Sequence, residues 1–228
     1  MRVKLISHSK PSKELISDGI YDVQELVAFC ARVSNPGNQY NTETSEKLIN
    51  YLINNLHWSP LEMVNVCLEV ETTRDIARQL LRHRSFSFQE FSQRYADPVK
   101  ELRFETREAR LQDPKNRQNS IQIDLARDFA GRDVSNEWHR RQLDLISAVR
   151  EHYQWAIDNG IAKEQARAVL PEGLTLSRLY VNGTLRSWLH YISVRSDRST
   201  QLEHREIARL CAEVIADVFP MMTKQVKE

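Results

Sequence analysis

The sequence predicts an α+β protein: a mixed or antiparallel sheet flanked by helices, with a largely helical C-terminal half. Three observations carry this. Alternating apolar patterns, the mark of half-buried strands, occur at residues 2–7 and 62–71. Helix-period patterns fill most of residues 136–218. Strands and helices do not alternate regularly, as a doubly wound parallel sheet would require. A chain of 228 residues, 41% of them apolar, can bury a sizeable core and suits a single domain over 1–228.

In chain order, Arg2-Val3-Lys4-Leu5-Ile6-Ser7 alternates and predicts a first strand. Residues 23–33 place Val23, Leu26, Val27, Cys30 and Ala31 at helical spacing. Asn35, Pro36, Gly37 and Asn38 form a turn cluster. Residues 43–56 predict a helix with Leu48, Leu52 and Leu56 on one face, broken by His57-Trp58-Ser59-Pro60. In the strand over 62–71, Val64, Val66, Leu68 and Val70 point one way, and Asn65, Cys67, Glu69 and Glu71 the other. A short helix over 74–83 follows, with Ile76, Ala77, Leu80 and Leu81 as its apolar stripe. Residues 96–120, polar and carrying Pro98 and Pro114, read as a surface excursion. The longest helix spans 136–158 and stops at Asn159-Gly160. A short helix at 163–169, a strand at 174–181 and helices at 184–194 and 202–218 complete the chain, with Pro220 closing the last.

Composition removes several function classes. With 32 Lys and Arg against 31 Asp and Glu, the net charge is +1, which argues against a polyanion binder working by bulk charge. The six glycines are at least ten residues apart, so neither a GxGxxG turn nor a Walker-type loop exists. Phosphates, if bound, must be held by side chains. Cys30, Cys67 and Cys211 are widely spaced and form no CxxC, which suits a reducing, cytoplasmic compartment. None sits in a nucleophile-like context: Cys30 lies in an apolar helical stripe, Cys67 in a strand and Cys211 in a terminal helix. The sequence leads to no expectation of a secretory signal, a membrane span or an internal repeat. The seven histidines include no HExxH and no pair at three- or four-residue spacing, so no metal site is expected.

The chemistry concentrates in Arg82-His83-Arg84-Ser85-Phe86-Ser87-Phe88-Gln89-Glu90-Phe91-Ser92-Gln93-Arg94-Tyr95. Gln79 and Arg82, three apart, are expected on one side of the last turn of the preceding helix. Phe86, Phe88 and Phe91 can anchor the backbone while the polar residues between them project elsewhere. Arginine offers a planar fork for phosphate oxygens, serine adds donors, and Glu90 can accept from a sugar hydroxyl. Such a set suits a ligand with several anionic oxygens and a flat ring. An isolated arginine most often pairs with an acid on a solvated face; this density and order argue otherwise.

This segment resembles the signature of flavin-dependent thymidylate synthases: Arg82-His83-Arg84, seven residues, then Ser92-Gln93-Arg94. Other pieces agree in the family's order. They are His57-x-x-Pro60 with Glu62, Ala166-Arg167-Ala168-Val169-Leu170-Pro171, Leu185-Arg186-Ser187-Trp188-Leu189-His190, Val194-Arg195, and Gln201 with Glu203. The resemblance runs from about residue 20 to 218. It implies a mixed α/β protomer assembled into a homotetramer with active sites between subunits. It also implies FAD as cofactor, NADPH as reductant, and methylenetetrahydrofolate as the one-carbon donor that turns dUMP into dTMP.

By the same resemblance, Gln79, Arg82, Ser92 and Arg94 would hold the dUMP phosphate, with backbone donors near Ser92 and Gln93 assisting. Glu90 would contact the ribose side, and Arg167 and Arg195 would face the uracil. Ser59, Arg82, His83, Arg84, Glu90, Asn182, Arg186 and His190 would line the flavin. The spacing from Asn182 to Arg186 is two residues longer than in many members, so either Asn182 or Thr184 could take the flavin-contacting position. His204-Arg205-Glu206-Ile207 likewise stands where other members often place the isoleucine directly.

The chemistry can also be argued from the residues. Uracil must become electron-rich at C5 before it attacks a one-carbon unit. A thiolate adduct is one route; an arginine that stabilises negative charge on the ring is the other. Arg195 is assigned that catalytic role; a guanidinium, permanently charged and with donors only, cannot act as a base. Ser92 as a nucleophile would need an adjacent base, and His83 is the only one near in sequence. Two other classes remain open: a nucleic-acid-binding module using arginines and interleaved aromatics, disfavoured by the charge balance, and a relative acting on another pyrimidine nucleotide.

Overall fold

Among the described residues, six strands punctuate the chain: β1 (Arg2–His8), β2 (Asn65–Thr73), β3 (Ser87–Glu90), β4 (Arg110–Gln112), β5 (Ser120–Gln122) and β6 (Leu176–Thr184). Nine α-helices accompany them among the same residues: α1 (Lys13–Ser17), α2 (Val23–Ala31), α3 (Ser45–Asn54), α4 (Arg74–Leu80), α5 (Pro98–Glu101), α6 (Phe129–Asp158), α7 (Lys163–Ala166), α8 (Leu185–Arg195) and α9 (Leu202–Ala216). This is a computed structural model, and it describes residues 1–226. Four strands form one sheet in the order β1-β2-β6-β3, and β4 pairs with β5 antiparallel. The mixed α/β layout with flanking helices agrees with the predicted class.

The described residues divide into two compact units. The first takes Met1–Val70, Leu80–Gln89 and the chain from Leu179 on; the second takes Glu71–Gln79 and Glu90–Arg178. The division therefore falls inside β2, β3 and β6.

In the first unit, the alternation read from the sequence is realised: Val64, Val66, Leu68 and Val70 are all fully buried. Also buried in this unit are Val27 and Ala28 of α2, Ile49 and Leu52 of α3, Trp188 and Ile192 of α8, and Ile207, Cys211 and Ile215 of α9. Full burial of each large apolar side chain contributes roughly 1.5–3 kcal/mol before entropy is charged. Helix starts are chemically specified. Asp22 and Glu25 form a capping box on α2, and Thr184 accepts from the Ser187 amide at 3.2 Å to start α8. Trp188 Nε1 donates to the Val66 carbonyl at 3.0 Å, tying α8 to β2.

The stripe expected for the helix over 43–56 is corrected. The helix ends at Asn54; Ile49 and Leu52 are buried, while Leu56 is exposed with φ 58°. Its neighbour His57 donates its amide to Leu52 O at 2.8 Å, a C-terminal closure that requires a left-handed residue at position 56.

In the second unit, α6 begins earlier than expected, at Phe129, because Asp128 caps it by accepting from the Gly131 amide at 2.8 Å. It ends at Asn159-Gly160 as predicted, with Gly160 at φ 75°. Val149, Tyr153, Ala156, Ala166 and Leu170 form its core. Residues 96–120 are more ordered than an open excursion. Arg107 donates to Asp75 at 2.7 and 2.9 Å and to Thr73 at 2.6 Å, and Gln142 exchanges two hydrogen bonds with the Arg107 backbone. The polar composition hid these partners, which lie about thirty residues away along the chain.

Candidate functional site

The chemistry-bearing segment starts where α4 stops. That helix ends at Leu80, and His83 N bonds Leu80 O at 3.0 Å, so Arg82 lies in the turn beyond. The expectation that Gln79 and Arg82 share a last helical turn is corrected: the helix ends at Leu80, before Arg82 is reached. Ser87–Glu90 then forms β3, a strand that its mixed aromatic and polar residues did not announce. The first unit contains Ser59, Arg82, His83, Arg84, Asn182, Arg186, His190 and Arg195. The second contains Gln79, Glu90, Ser92, Gln93, Arg94 and Arg167.

Within the first unit is a cavity of about 620 Å³. Its apolar walls come from Ile53, Leu56, Trp58 and Leu189; its polar walls come from Glu62, Ser85, Arg186, Ser187, His190, Ser193 and Gln225. Arg186, Leu189, His190 and Ser193 share one face of α8, and Arg186 donates to Glu62. Of the residues expected at the flavin, Arg186 and His190 line this cavity. Ser59 opens the 3₁₀ turn Ser59–Glu62, whose last residue also lines it. Arg82, Arg84 and Asn182 are exposed. Thr184 has its hydroxyl engaged in capping α8, whereas Asn182 projects from β6 without a protein hydrogen bond among the described residues. Sequence reading missed Ser193, Trp58 and Leu56 as lining groups. For Ser193 the signal was present: it continues the Arg186–Leu189–His190 spacing along the helix.

A second cluster in the first unit surrounds Arg195 at the end of α8. Arg195 Nε donates to His83 Nε2 at 2.8 Å. The His83 ring is flanked by Tyr191 at 5.0 Å, Phe86 at 6.4 Å and His204 at 6.5 Å between centroids. Burial first, then the charge of Arg195 and His190, lowers the His83 pKa to about 4. Burial and Arg195 also lower that of His204 to about 3. Both imidazoles are therefore neutral at pH 7. The two terminal nitrogens of Arg195 bond to no protein group among the described residues.

In the second unit, Glu90 accepts from Ser177 Oγ at 2.8 Å and from Arg74 and Arg78 at 3.5 Å each. It shares the buried Arg74 with Glu172, each at 3.5 Å, and its carboxylate retains lone pairs for a further donor. Glu164 gathers two of the expected nucleotide ligands: Arg94 lies 3.7 Å from its carboxylate, and Arg167 Nε donates to its carbonyl at 3.3 Å. Ser92 Oγ accepts from the Arg94 amide and has no basic partner among the described residues, so a serine nucleophile lacks its activator. Gln93 is buried, and its Nε2 has no acceptor among the described residues. In a native fold such a donor is normally satisfied by a ligand or water.

Burial raises the thiol pKa of all three cysteines, so none is held as a thiolate. Among the described residues, no group of three or more His, Cys, Asp or Glu side chains could hold a metal ion, and no helix is long and apolar enough to cross a membrane.

The model of a family described as "Thymidylate synthase complementing protein" matches residues 15–221. A protein of Paramecium bursaria Chlorella virus 1, named "Probable flavin-dependent thymidylate synthase", is 43% identical over 224 residues, 98% of each chain. The chain belongs to the flavin-dependent thymidylate synthase family. Another flavin-dependent thymidylate synthase, from Synechocystis sp., is 46% identical over 96% of each chain. The fold is similar to a solved UMP/dUMP methylase, PolB of Streptomyces cacaoi bound with 5-Br dUMP, at TM-score 0.76 and 26% identity, covering 98% of this chain and 93% of that one.

The residues present fit the family's flavin. The cavity of the first unit joins aromatic and aliphatic walls, which suit a flat ring, to Arg186, His190 and serine hydroxyls, which suit anionic and carbonyl oxygens.

Proposed function

We propose that this chain is a thymidylate synthase of the flavin-dependent kind: dUMP, methylenetetrahydrofolate, NADPH and a proton give dTMP, tetrahydrofolate and NADP⁺. FAD, when bound, supplies the hydride that completes the methyl group. Arg195 is the observation that carries the reading: a half-buried guanidinium with unengaged terminal donors, in a chain whose three thiols are all raised in pKa. Donors of that kind stabilise negative charge on the uracil oxygens and N3, which makes C5 nucleophilic without a covalent enzyme adduct.

The remaining residues position. Gln79, Arg82, Ser92 and Arg94 hold the phosphate, with Gln93 assisting, and the unpaired Gln93 Nε2 supports a ligand there. Arg167 faces the pyrimidine, and Glu90 accepts from the ribose with the lone pairs its arginines leave. Ser59, Arg82, His83, Arg84, Glu90, Asn182, Arg186 and His190 line the flavin. Asn182 takes precedence over Thr184, whose hydroxyl caps a helix. The reading includes a cytoplasmic homotetramer with active sites between subunits. Large apolar side chains left exposed, such as Tyr95 and Phe129, suit further burial in that assembly.

The test is an anaerobic assay with FAD, NADPH, methylenetetrahydrofolate and dUMP, following dTMP. Product formation supports the synthase; flavin binding without product removes it. Parallel reactions with UMP and dCMP address the other pyrimidine nucleotides. Light scattering of the holoenzyme reads the number of chains.

A further inference from the structure

We propose that His83 is a positioning residue for Arg195, its Nε2 lone pair holding the guanidinium by Nε so that both terminal nitrogens are presented to the pyrimidine. The inference rests on the reading of Arg195 as the group that activates the ring. It gives the His83 imidazole a task separate from lining a flavin.

Arginine has only donors, so the 2.8 Å contact requires an unprotonated His83 Nε2, and the proton of the neutral ring sits on Nδ1. Protonation at Nε2 would turn the acceptor into a donor and set two cations against each other. The surroundings oppose that: the ring is partly buried beside Arg195, with His190 adding a further electrostatic penalty. Rotation is restricted as well. Tyr191 meets the imidazole edge-on at 5.0 Å and Phe86 lies at 6.4 Å; Tyr191 is fully buried and Phe86 nearly so. A long, flexible side chain is thereby tethered at the nitrogen that does not belong to the terminal fork. Nε is the nitrogen that can be used without reducing what the fork offers a substrate.

The test uses the flavin-loaded enzyme and 5-fluoro-dUMP as probe, with the N3 ionisation of the bound base read by ¹⁹F NMR against pH. The wild type should bind the base with its N3 pKa below that of the free nucleotide, and Arg195→Lys should return it toward the free value. His83→Ala should move it in the same direction, lower kcat about tenfold or more, and leave the dUMP KM nearly unchanged. His83→Gln, whose side-chain oxygen can accept from Nε, should restore part of both, as should imidazole added to His83→Ala. Circular dichroism and flavin content establish that each variant is folded; should His83→Ala fail there, His83→Asn, too short to reach Nε, is read in the same way. An unshifted N3 pKa in the His83 variants, with a clear shift in Arg195→Lys, overturns the proposal alone. An unshifted value in Arg195→Lys overturns the reading of Arg195 and the proposal with it.

Discussion

Gly183→Ala is a strong test of how the fold places the reactive segment. A Cβ at Gly183 would stand 2.3 Å from Phe86 Cδ1 and 2.6 Å from Cε1. Ordinary contact begins near 3.4 Å, so the ring would have to retreat by about 1 Å. It has nowhere to go: Trp188 lies 4.5 Å and Tyr191 5.8 Å away between centroids, and both are fully buried. An overlap this deep belongs in the upper half of the overpacking range, at ~2–3 kcal/mol, and replacing glycine in a strand regains ~0.5–1 kcal/mol. The net expectation is a loss of about 1–2 kcal/mol, or a Tm lower by about 2–8 °C. Urea unfolding monitored by tryptophan fluorescence measures it. A cycle with Phe86→Leu isolates the contact, because the smaller side chain should relieve at least part of the cost. A Gly183→Ala protein within about 0.5 kcal/mol of wild type, or a cycle with no coupling, would refute the packing argument. Phe86 also flanks His83, so the same variant should disturb the Arg195 pair and lower turnover more than flavin content.

Three further outcomes are expected. Leu56→Gly should gain about 1 kcal/mol in urea unfolding, since Leu56 is an exposed leucine in a left-handed conformation; a loss of stability would show that its side chain matters more than its backbone. His204 has its folded pKa depressed to about 3, so the unfolded chain binds the extra proton between about 3 and 6.5 and stability falls as pH drops through that window. By pH 5 this amounts to about 2 kcal/mol, and His204→Gln should flatten the pH dependence of unfolding; an unchanged profile would contradict the assignment. Arg186→Ala should weaken FAD retention at least about tenfold in equilibrium dialysis, the scale of one lost charge-assisted hydrogen bond; unaltered retention would place the flavin outside the α8 face.

Strong periodicity was legible because it is a local property. Val64 to Val70 and the α8 and α9 stripes each carry their own burial pattern, and the structure buries what the pattern marks. The reactive segment was legible because its residue types are clustered within fourteen positions. What escaped was set by distant partners or by termini. Arg107 is ordered by Asp75 and Gln142. The α4 helix stops at Leu80, and nothing in Leu81-Arg82-His83 marks that stop. The His83–Arg195 pair joins residues 112 positions apart, and the resemblance gave each of them a separate task.

The central claim, that a guanidinium and no thiol makes the pyrimidine reactive, is tested most directly by single-turnover methyl transfer in two folded, flavin-loaded variants. The account predicts that a triple Cys30→Ala, Cys67→Ala, Cys211→Ala protein forms dTMP at near the wild-type rate, while Arg195→Lys is slower by roughly 10²–10³. Loss of dTMP formation in the triple variant, with Arg195→Lys still active, would contradict it.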